Sequence, residues 1–215
     1  MIDTTIHIGE VAVHEPMTVF TDFIIAGLAL TFYFRLKRET DKTVINWRYF
    51  FLFMGVSTFV GAFSHALFEV HQGWGYKSFW LPMQLINGLA VYYAQQGTCA
   101  SVLDGSPFKK TWALIYKVQL IVFLIAVPVF QNFLVTVIDN ALGLIPVMIL
   151  HYRYKTAFAK RIANGIAISF LTAAIHINKF SIHTYFNYND LAHVFIMISL
   201  WVLYTGVKMK KEISA

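Results

Sequence analysis

Long apolar stretches alternate with short polar segments along the whole chain. Seven of these stretches hold about 20 mostly apolar residues each, which is the length a helix needs to cross about 30 Å of hydrocarbon. They lie at residues 17–36, 47–70, 79–103, 111–130, 133–152, 162–180 and 190–207. Runs such as LIVFLIAVPVF do not alternate with polar residues, so the strands of a membrane barrel are excluded. The pattern predicts an all-α bundle of seven transmembrane helices.

Composition agrees with this pattern. Of 215 residues, 58% are hydrophobic and 13% are charged, whereas a soluble domain has about 45–50% apolar and about 25% charged residues. The length fits a single domain, residues 1–215, without internal repeats or linkers. The only cysteine, Cys99, excludes an internal disulfide and a cysteine-based metal site. Because the first sixteen residues lack a basic start followed by an apolar run, we expect no cleavable signal peptide.

The basic residues give the bundle a direction. When the segments between the seven stretches are assigned alternately to two sides, fifteen Lys and Arg fall on one side, and only Lys77 and Lys179 fall on the other. The basic side of a membrane protein is normally cytoplasmic. We therefore expect the amino terminus outside and the carboxyl terminus in the cytoplasm, in the inner membrane of a bacterium. The net charge of +6 then reflects orientation and does not indicate a nucleic-acid partner.

Polar residues within the apolar stretches concentrate in the predicted outer half of the membrane. Titratable groups in hydrocarbon are costly and often mark function. The residues concerned are Asp22, His65, Glu69, Gln84, Asn87, Asp139, Asn140, His176, Asn178, Asn189, Asp190 and His193. In the seventh stretch, Asn189 and Asp190 lie four and three residues before His193, which places all three on one helical face. We expect these side chains to line one polar pocket.

Histidines and carboxylates at one depth are typical of a zinc site. Catalytic zinc has three protein ligands and a water molecule whose pKa falls to about 7. His65, His193 and His176 are the preferred ligands of this hypothesis. Asp190 and Asp22 are its candidate hydrogen-bond acceptors for the ligating imidazoles, or its general base.

Other interpretations of the same residues stay open. Asn189 or Asp190 can cap the seventh helix, and Asp139 with Asn140 can bond between helices. The pocket can serve a receptor or ligand-binding protein without turnover, and two histidines can hold a haem. A retinal protein is disfavoured because the seventh stretch has no lysine in its interior.

Two short motifs resemble those of a known superfamily. They are Gly-Ala-Phe-Ser-His, which ends at His65, and Asn-Asp-Leu-Ala-His-Val, which contains His193. With seven spans, they resemble the alkaline ceramidases and progestin/adipoQ receptors, which are seven-helix membrane hydrolases with a zinc site. The segment FNYNDLAHVFIMISLWVLYTG is similar to a bacterial branch of that superfamily. The resemblance implies zinc-dependent hydrolysis of a lipid amide or ester at the outer face, with membrane lipid as substrate or ligand.

The sequence also departs from the pattern of that superfamily. Gly61 stands where the family has a serine, although Ser64 is close by, and Asn189 replaces the first of two histidines. Gln84 and Asn87 occupy the region of a family aspartate. Only His65 and His193 carry over as ligands, so the resemblance leaves the third ligand to another residue, such as His176 or Asp190.

Overall fold

The computed structural model describes residues 5–9, 11–37, 39–67, 74–183 and 185–214. Within this part the chain is almost entirely helical, which confirms the predicted all-α class. The helices are α1 (Pro16–Arg35), α2 (Lys42–Ala66), α3 (Trp74–Ser101), α4 (Lys109–Phe130), α5 (Phe133–Tyr154), α6 (Ala157–Asn178) and α7 (Tyr188–Ser214). Consecutive helices pack against each other, and α7 returns to pack against α1 and α2.

Six of these helices are long and apolar enough to cross a membrane, which indicates an integral membrane protein. The six are α1, α2, α4, α5, α6 and α7. Helix α3 has 28 residues but carries several amides, among them Gln84, Asn87 and Gln95. The seventh crossing and the orientation of the termini stay predictions.

Several helices extend beyond the apolar stretches because polar residues cap or support their ends. Helix α2 begins at Lys42 rather than at the predicted residue 47. The Asp41 carboxylate precedes it and accepts hydrogen bonds from the backbone N–H groups of Thr43 (2.7 Å) and Val44 (3.2 Å). Such a cap satisfies N–H groups that have no partner within the helix. Hydrophobicity alone therefore places the start of this helix five residues too late, and the helix also ends earlier, at Ala66, than the predicted residue 70.

A short β-hairpin precedes α1, and the sequence pattern did not predict it. Strands β1 (Ile6–Ile8) and β2 (Val11–Val13) pair antiparallel, with Ile6 opposite Val13. The backbone N–H of His14 donates to the Ala66 carbonyl (3.1 Å), which ties the hairpin to the end of α2. Strands of three residues are too short to give a periodic signal. We call this end of the bundle, where α1 and α7 begin and α2 ends, the hairpin end.

The opposite end carries the basic residues, and we call it the basic end. Lys210 and Lys211 of α7 form ion pairs with Asp41 and Glu39, which lie in the connection between α1 and α2. In the loop after α3, a hydrogen bond from Lys109 (2.6 Å) and its charge hold the pKa of Asp104 below its usual range. These contacts fix the ends of α1, α3 and α7 and the starts of α2 and α4 at one end of the bundle.

Aromatic and aliphatic side chains fill the centre between α1, α2 and α7. The Phe32 and Tyr204 rings stack at 4.2 Å between centroids, and Phe51 meets Phe32 edge-on at 5.5 Å. Trp47 and Phe51 are fully buried. By contrast, α4 leaves many large apolar residues exposed, such as Ile125 at 61%. The buried centre thus positions α1, α2 and α7, whose hairpin-end halves carry the site described next.

Candidate functional site

One face of α1 points into the bundle at the hairpin end. Thr18, Thr21, Asp22 and Ile25 are all buried there, at the i, i+3, i+4 and i+7 spacing of one helical face. Glu15 directly precedes the helix, with its backbone in the left-handed region (φ 45°). The face therefore presents a carboxylate and two hydroxyls to the neighbouring helices.

Asp190 joins the start of α7 to this face. Its Oδ2 accepts the backbone N–H of Asn187 (2.8 Å), while Asn187 Oδ1 accepts the N–H of Asn189 (2.7 Å). This reciprocal pattern is a capping box. The other Asp190 oxygen, Oδ1, accepts a hydrogen bond from the Thr18 hydroxyl (3.0 Å). Both oxygens of the buried carboxylate therefore have structural partners. The sequence placed the cap at Asn189 or Asp190, whereas Asn187 is the N-cap residue and Asp190 is its partner in the first turn. The catalytic role of Asp190 stays a prediction.

His193 lies one turn further along α7, and its ring contacts the same face of α1. Its Nδ1 is 2.7 Å from the Thr21 hydroxyl oxygen. The same hydroxyl oxygen lies 3.0 Å from the carbonyl oxygens of Met17 and Thr18. Thr21 and His193 therefore share one hydrogen bond, in which either the hydroxyl or Nδ1 can donate. The Nε2 atom of His193 is 3.6 Å from Oδ1 of Asp22.

His65 has the same arrangement with a different partner. Its Nδ1 lies 2.6 Å from Oε2 of Glu15, and Glu15 Oε1 accepts the side-chain amide of Asn189 (3.3 Å). A carboxylate only accepts, so His65 Nδ1 carries the proton in this contact. Burial by itself would raise the pKa of Glu15, but the hydrogen bond and charge of His65 and the Asn189 amide hold that pKa below its usual range.

These contacts assemble what we call the acid–histidine cluster, which consists of Glu15, Asp22, His65, Asp190 and His193. His65 interacts electrostatically with all three carboxylates of the cluster. A cleft of about 210 Å³ opens beside it and is lined by Glu15, Pro16, Met17, Thr18, Tyr185, Asn187 and Asp190. The sequence predicted that the second, sixth and seventh helices bring their histidines together; in the structure His65 and His193 each bond to the start of α1, which is the third contributor.

Two other predicted site residues lie around the cluster. The ring of His176, at the exposed end of α6, packs edge-on against Tyr188 (5.5 Å between centroids). It forms no hydrogen bond with the cluster in the part of the chain that the structure describes. Ser64 is 3% exposed in the last turns of α2. Glu69 lies outside the described residues.

The remaining predicted pocket residues belong to a second set of hydrogen bonds, which we call the amide network. It joins α3, α4 and α5 and consists of Gln84, Asn87, Gln95, Gln119, Thr136, Asp139 and Asn140. Asn87 donates to Asn140 (2.8 Å), and Gln119 donates to Asp139 Oδ1 (2.8 Å). Asp139 and Asn140 therefore bond to different helices, as the interhelical interpretation proposes. Among the described residues no hydrogen bond joins this network to the acid–histidine cluster.

Sequence reasoning did not single out Glu15, Thr18 or Thr21 as site residues. Thr18 and Thr21 share a helical face with Asp22, and this spacing was the available signal. Glu15 lies outside the apolar stretch, so no burial argument applied to it. Its role depends on the approach of α2 to the start of α1, which only the fold supplies.

The described residues contain no group of three or more His, Cys, Asp or Glu side chains in an arrangement that can already hold a metal ion. Two imidazoles with fixed Nδ1 partners and an adjacent carboxylate are nevertheless the usual parts of such a site. The zinc hypothesis stays a prediction.

The fold and the site together define an integral membrane protein, a helical bundle whose first, second and last helices build a polar cluster at one end. The chain belongs to a family of unknown function, DUF6962, whose sequence model matches residues 17–212. No curated protein matches the chain, and no solved structure matches it.

Proposed function

We propose that this protein is a metal-dependent hydrolase that cleaves an amide or ester bond of a membrane lipid at the extracytoplasmic side. The observation that carries the proposal is the pair of imidazoles, His65 and His193, each with Nδ1 hydrogen-bonded, and the carboxylate of Asp22 beside His193 Nε2. This proposal includes the distant relationship to the ceramidase and progestin/adipoQ receptor superfamily that the two histidine motifs suggest.

The proposed topology has seven crossings, with the hairpin end outside. Helix α3 packs between α2 and the α4–α5 pair. Because these neighbouring helices are proposed to cross the membrane, we place α3 in the membrane beside them. Crossing by α3 also keeps Lys109 and Lys110 on the same side as Lys42 and Lys210, as the positive-inside rule favours. The acid–histidine cluster then lies in the outer half of the membrane.

The cluster has donors that fit zinc. His193 Nε2 lies 3.6 Å from Asp22 Oδ1, so a cation placed between the two atoms would contact both of them. The Glu15–His65 contact has the carboxylate–histidine geometry that orients zinc ligands. We propose His65, His193 and Asp22 as the ligands, which leaves His176 outside the set.

Other residues of the chain would then position the ligands. Glu15 and Thr21 hold the two imidazoles in one orientation, and Asp190 keeps the start of α7 against α1. A zinc ion held by His65, His193 and Asp22 would make a hydroxide nucleophile available near neutral pH. The cleft of about 210 Å³ admits the carbonyl and head-group part of a lipid, while the acyl chains stay between the helices and the bilayer.

Metal content tests the ligand set directly. We expect the purified chain to carry near-stoichiometric zinc by mass spectrometry. His65→Ala, His193→Ala and Asp22→Asn should remove it, and Glu15→Gln should weaken zinc affinity by about 10- to 100-fold. His183→Ala changes an exposed loop histidine at the same end and should retain the metal. Equal metal content in all five variants and the parent, or none in the parent, would contradict the proposed site.

Turnover tests the reaction class. Fluorescent ceramide and a fluorescent acyl ester in mixed micelles should be cleaved by the parent protein, and a zinc chelator or His193→Ala should abolish cleavage. The His183→Ala variant should keep the activity. Retention of these lipids without cleavage would instead assign a ligand-binding role to the same cluster.

A further inference from the structure

A second cavity lies between α3 and α4, well separated along the chain from the residues of the acid–histidine cluster. It has a volume of about 300 Å³ and is lined by Tyr92, Gln96, Ala113, Leu114 and Lys117. Tyr92 and Gln96 are spaced i, i+4 on α3, and Ala113 and Lys117 are spaced i, i+4 on α4. This spacing turns both pairs toward the same inter-helix cleft.

The polar lining of this cavity favours an anion. The Lys117 ammonium, the Gln96 amide and the Tyr92 hydroxyl can all donate hydrogen bonds, and no acidic residue lines the cavity. Within the described part of the chain, Lys117 has no carboxylate at ion-pair distance. Three hydrogen-bond donors therefore line one cavity, and the positive charge of Lys117 is not neutralised by a carboxylate among the described residues.

The cavity lies toward the basic end of α3 and α4. Lys117 follows the start of α4 at Lys109 by eight residues, or about 12 Å, and Gln96 precedes the end of α3 by about 7 Å. A lysine at that depth extends its ammonium toward the basic end. Lys110, which is exposed in the first turn of α4, adds positive charge at the same end.

An apolar track continues from the cavity toward the middle of the membrane. Leu114, Val118 and Val122 follow each other at i, i+4 and i+8 on α4 and are 62%, 50% and 59% exposed. Side chains at this spacing form a continuous ridge. A ligand with an anionic head and a long apolar tail matches both parts of the surface.

We propose that this cavity binds the phosphate of an anionic phospholipid from the leaflet at the basic end, with Lys117, Gln96 and Tyr92 as donors. Basic pockets between helices on the cytoplasmic side are suited to such head groups. The assignment of this leaflet to the cytoplasmic side rests on the proposed topology. The binding itself is independent of the proposed hydrolase site.

Quenching of tryptophan fluorescence by brominated lipids tests this proposal. Trp112 lies beside the cavity, in the first turn of α4, and packs near Tyr92. In micelles of the full chain, brominated phosphatidylglycerol should quench at about fivefold lower mole fraction than brominated phosphatidylcholine with the same acyl chains. Trp112→Phe should remove this selective quenching, which assigns it to the cavity.

Three variants separate a specific site from general attraction. Lys117→Met should abolish the preference for phosphatidylglycerol, Lys117→Arg should retain it, and Lys37→Met, an exposed lysine after α1, should leave it unchanged. Inorganic phosphate at equal concentration should not displace the lipid. Equal quenching by both lipids, an unchanged preference in Lys117→Met, or displacement by phosphate would overturn the proposal.

Discussion

Different chemical groups fix the orientation of the two imidazoles in the acid–histidine cluster. A carboxylate, Glu15, holds Nδ1 of His65, and a hydroxyl, Thr21, holds Nδ1 of His193. The first contact is charge-assisted and therefore stronger and dependent on pH, while the second is a neutral hydrogen bond. The His65 side of the cluster is accordingly the side that responds to acid through Glu15.

Replacement of Glu15 by glutamine tests this difference. At neutral pH we expect Glu15→Gln to lower the free energy of unfolding by about 1 kcal/mol. We expect a small value for a charge-assisted hydrogen bond because the side chains of His65 and Glu15 are partly exposed (32% and 25%). The pKa of Glu15 is depressed in the folded state. The ionised Glu15 therefore stabilises the fold fully at pH values above its ordinary pKa, and this stabilisation disappears as the pH falls through the folded-state pKa. The difference in unfolding free energy between the parent and Glu15→Gln should therefore become smaller below about pH 4.

Thermal unfolding in detergent at neutral and acidic pH measures this difference. Glu212→Gln is the matched control, because Glu212 is an exposed partner of Lys208 on α7, and such pairs contribute little. A difference that widens on acidification would refute the assigned direction of the Glu15 pKa.

At the scale of elements, close approach between α3, α4 and α5 depends on Gly143. A Cβ at this position would lie 2.4 Å from Val91 Cγ1 and 2.9 Å from the Gln95 amide nitrogen. The Gln95–Gln119 hydrogen bond (2.9 Å) crosses the same space. Glycine therefore allows the amide network to form between the three helices.

Gly143→Ala should destabilise the bundle. Val91 is branched at Cβ and cannot easily turn aside, so we expect a cost of about 1–3 kcal/mol. Gly27→Ala is the control, since a Cβ there meets nothing within 4 Å, and alanine in a helix is favoured by up to about 1 kcal/mol. The thermal midpoint in detergent should fall for the first variant and stay or rise for the second. Equal midpoints would show that α3 and α5 can separate freely at Gly143.

Helix identity was predictable from sequence, whereas several boundaries and pairings were not. Each helix overlaps most of one predicted apolar stretch, because burial in lipid or core demands about 20 apolar residues whatever the neighbours are. The early start of α2 is supported by the Asp41 cap, and the short hairpin is tied to α2 by the His14–Ala66 hydrogen bond. Such local contacts leave no periodic signal in the sequence.

At the scale of the whole molecule, the polar residues form two sets rather than one pocket. Asp22, His65 and His193 meet between α1, α2 and α7, while Gln84 and Asp139 join α3, α4 and α5. The sequence predicted that these polar residues lie at similar depth along their helices. It did not predict where they lie around the bundle, because that depends on which helices are neighbours.

The seven-crossing topology makes a prediction that distinguishes it from six crossings. In a Cys99→Ser background, Thr40→Cys, Ser106→Cys and Ser181→Cys place single thiols in three loops. We expect a membrane-impermeant maleimide to label residue 181 on intact cells, and residues 40 and 106 only after lysis. If α3 does not cross, residues 40 and 106 lie on opposite sides. Labelling of residue 106 but not residue 40 on intact cells would therefore refute the topology.

The sequence by itself determined the helical class, the positions of the apolar spans and the asymmetric distribution of basic residues. These follow from composition and from the length of each segment, which are local properties of the chain. Only the tertiary structure decided that Glu15 bonds His65, that Thr21 bonds His193, and that α1 completes the cluster. Such contacts join residues up to 174 positions apart, and the rotation of each packed helix sets their geometry.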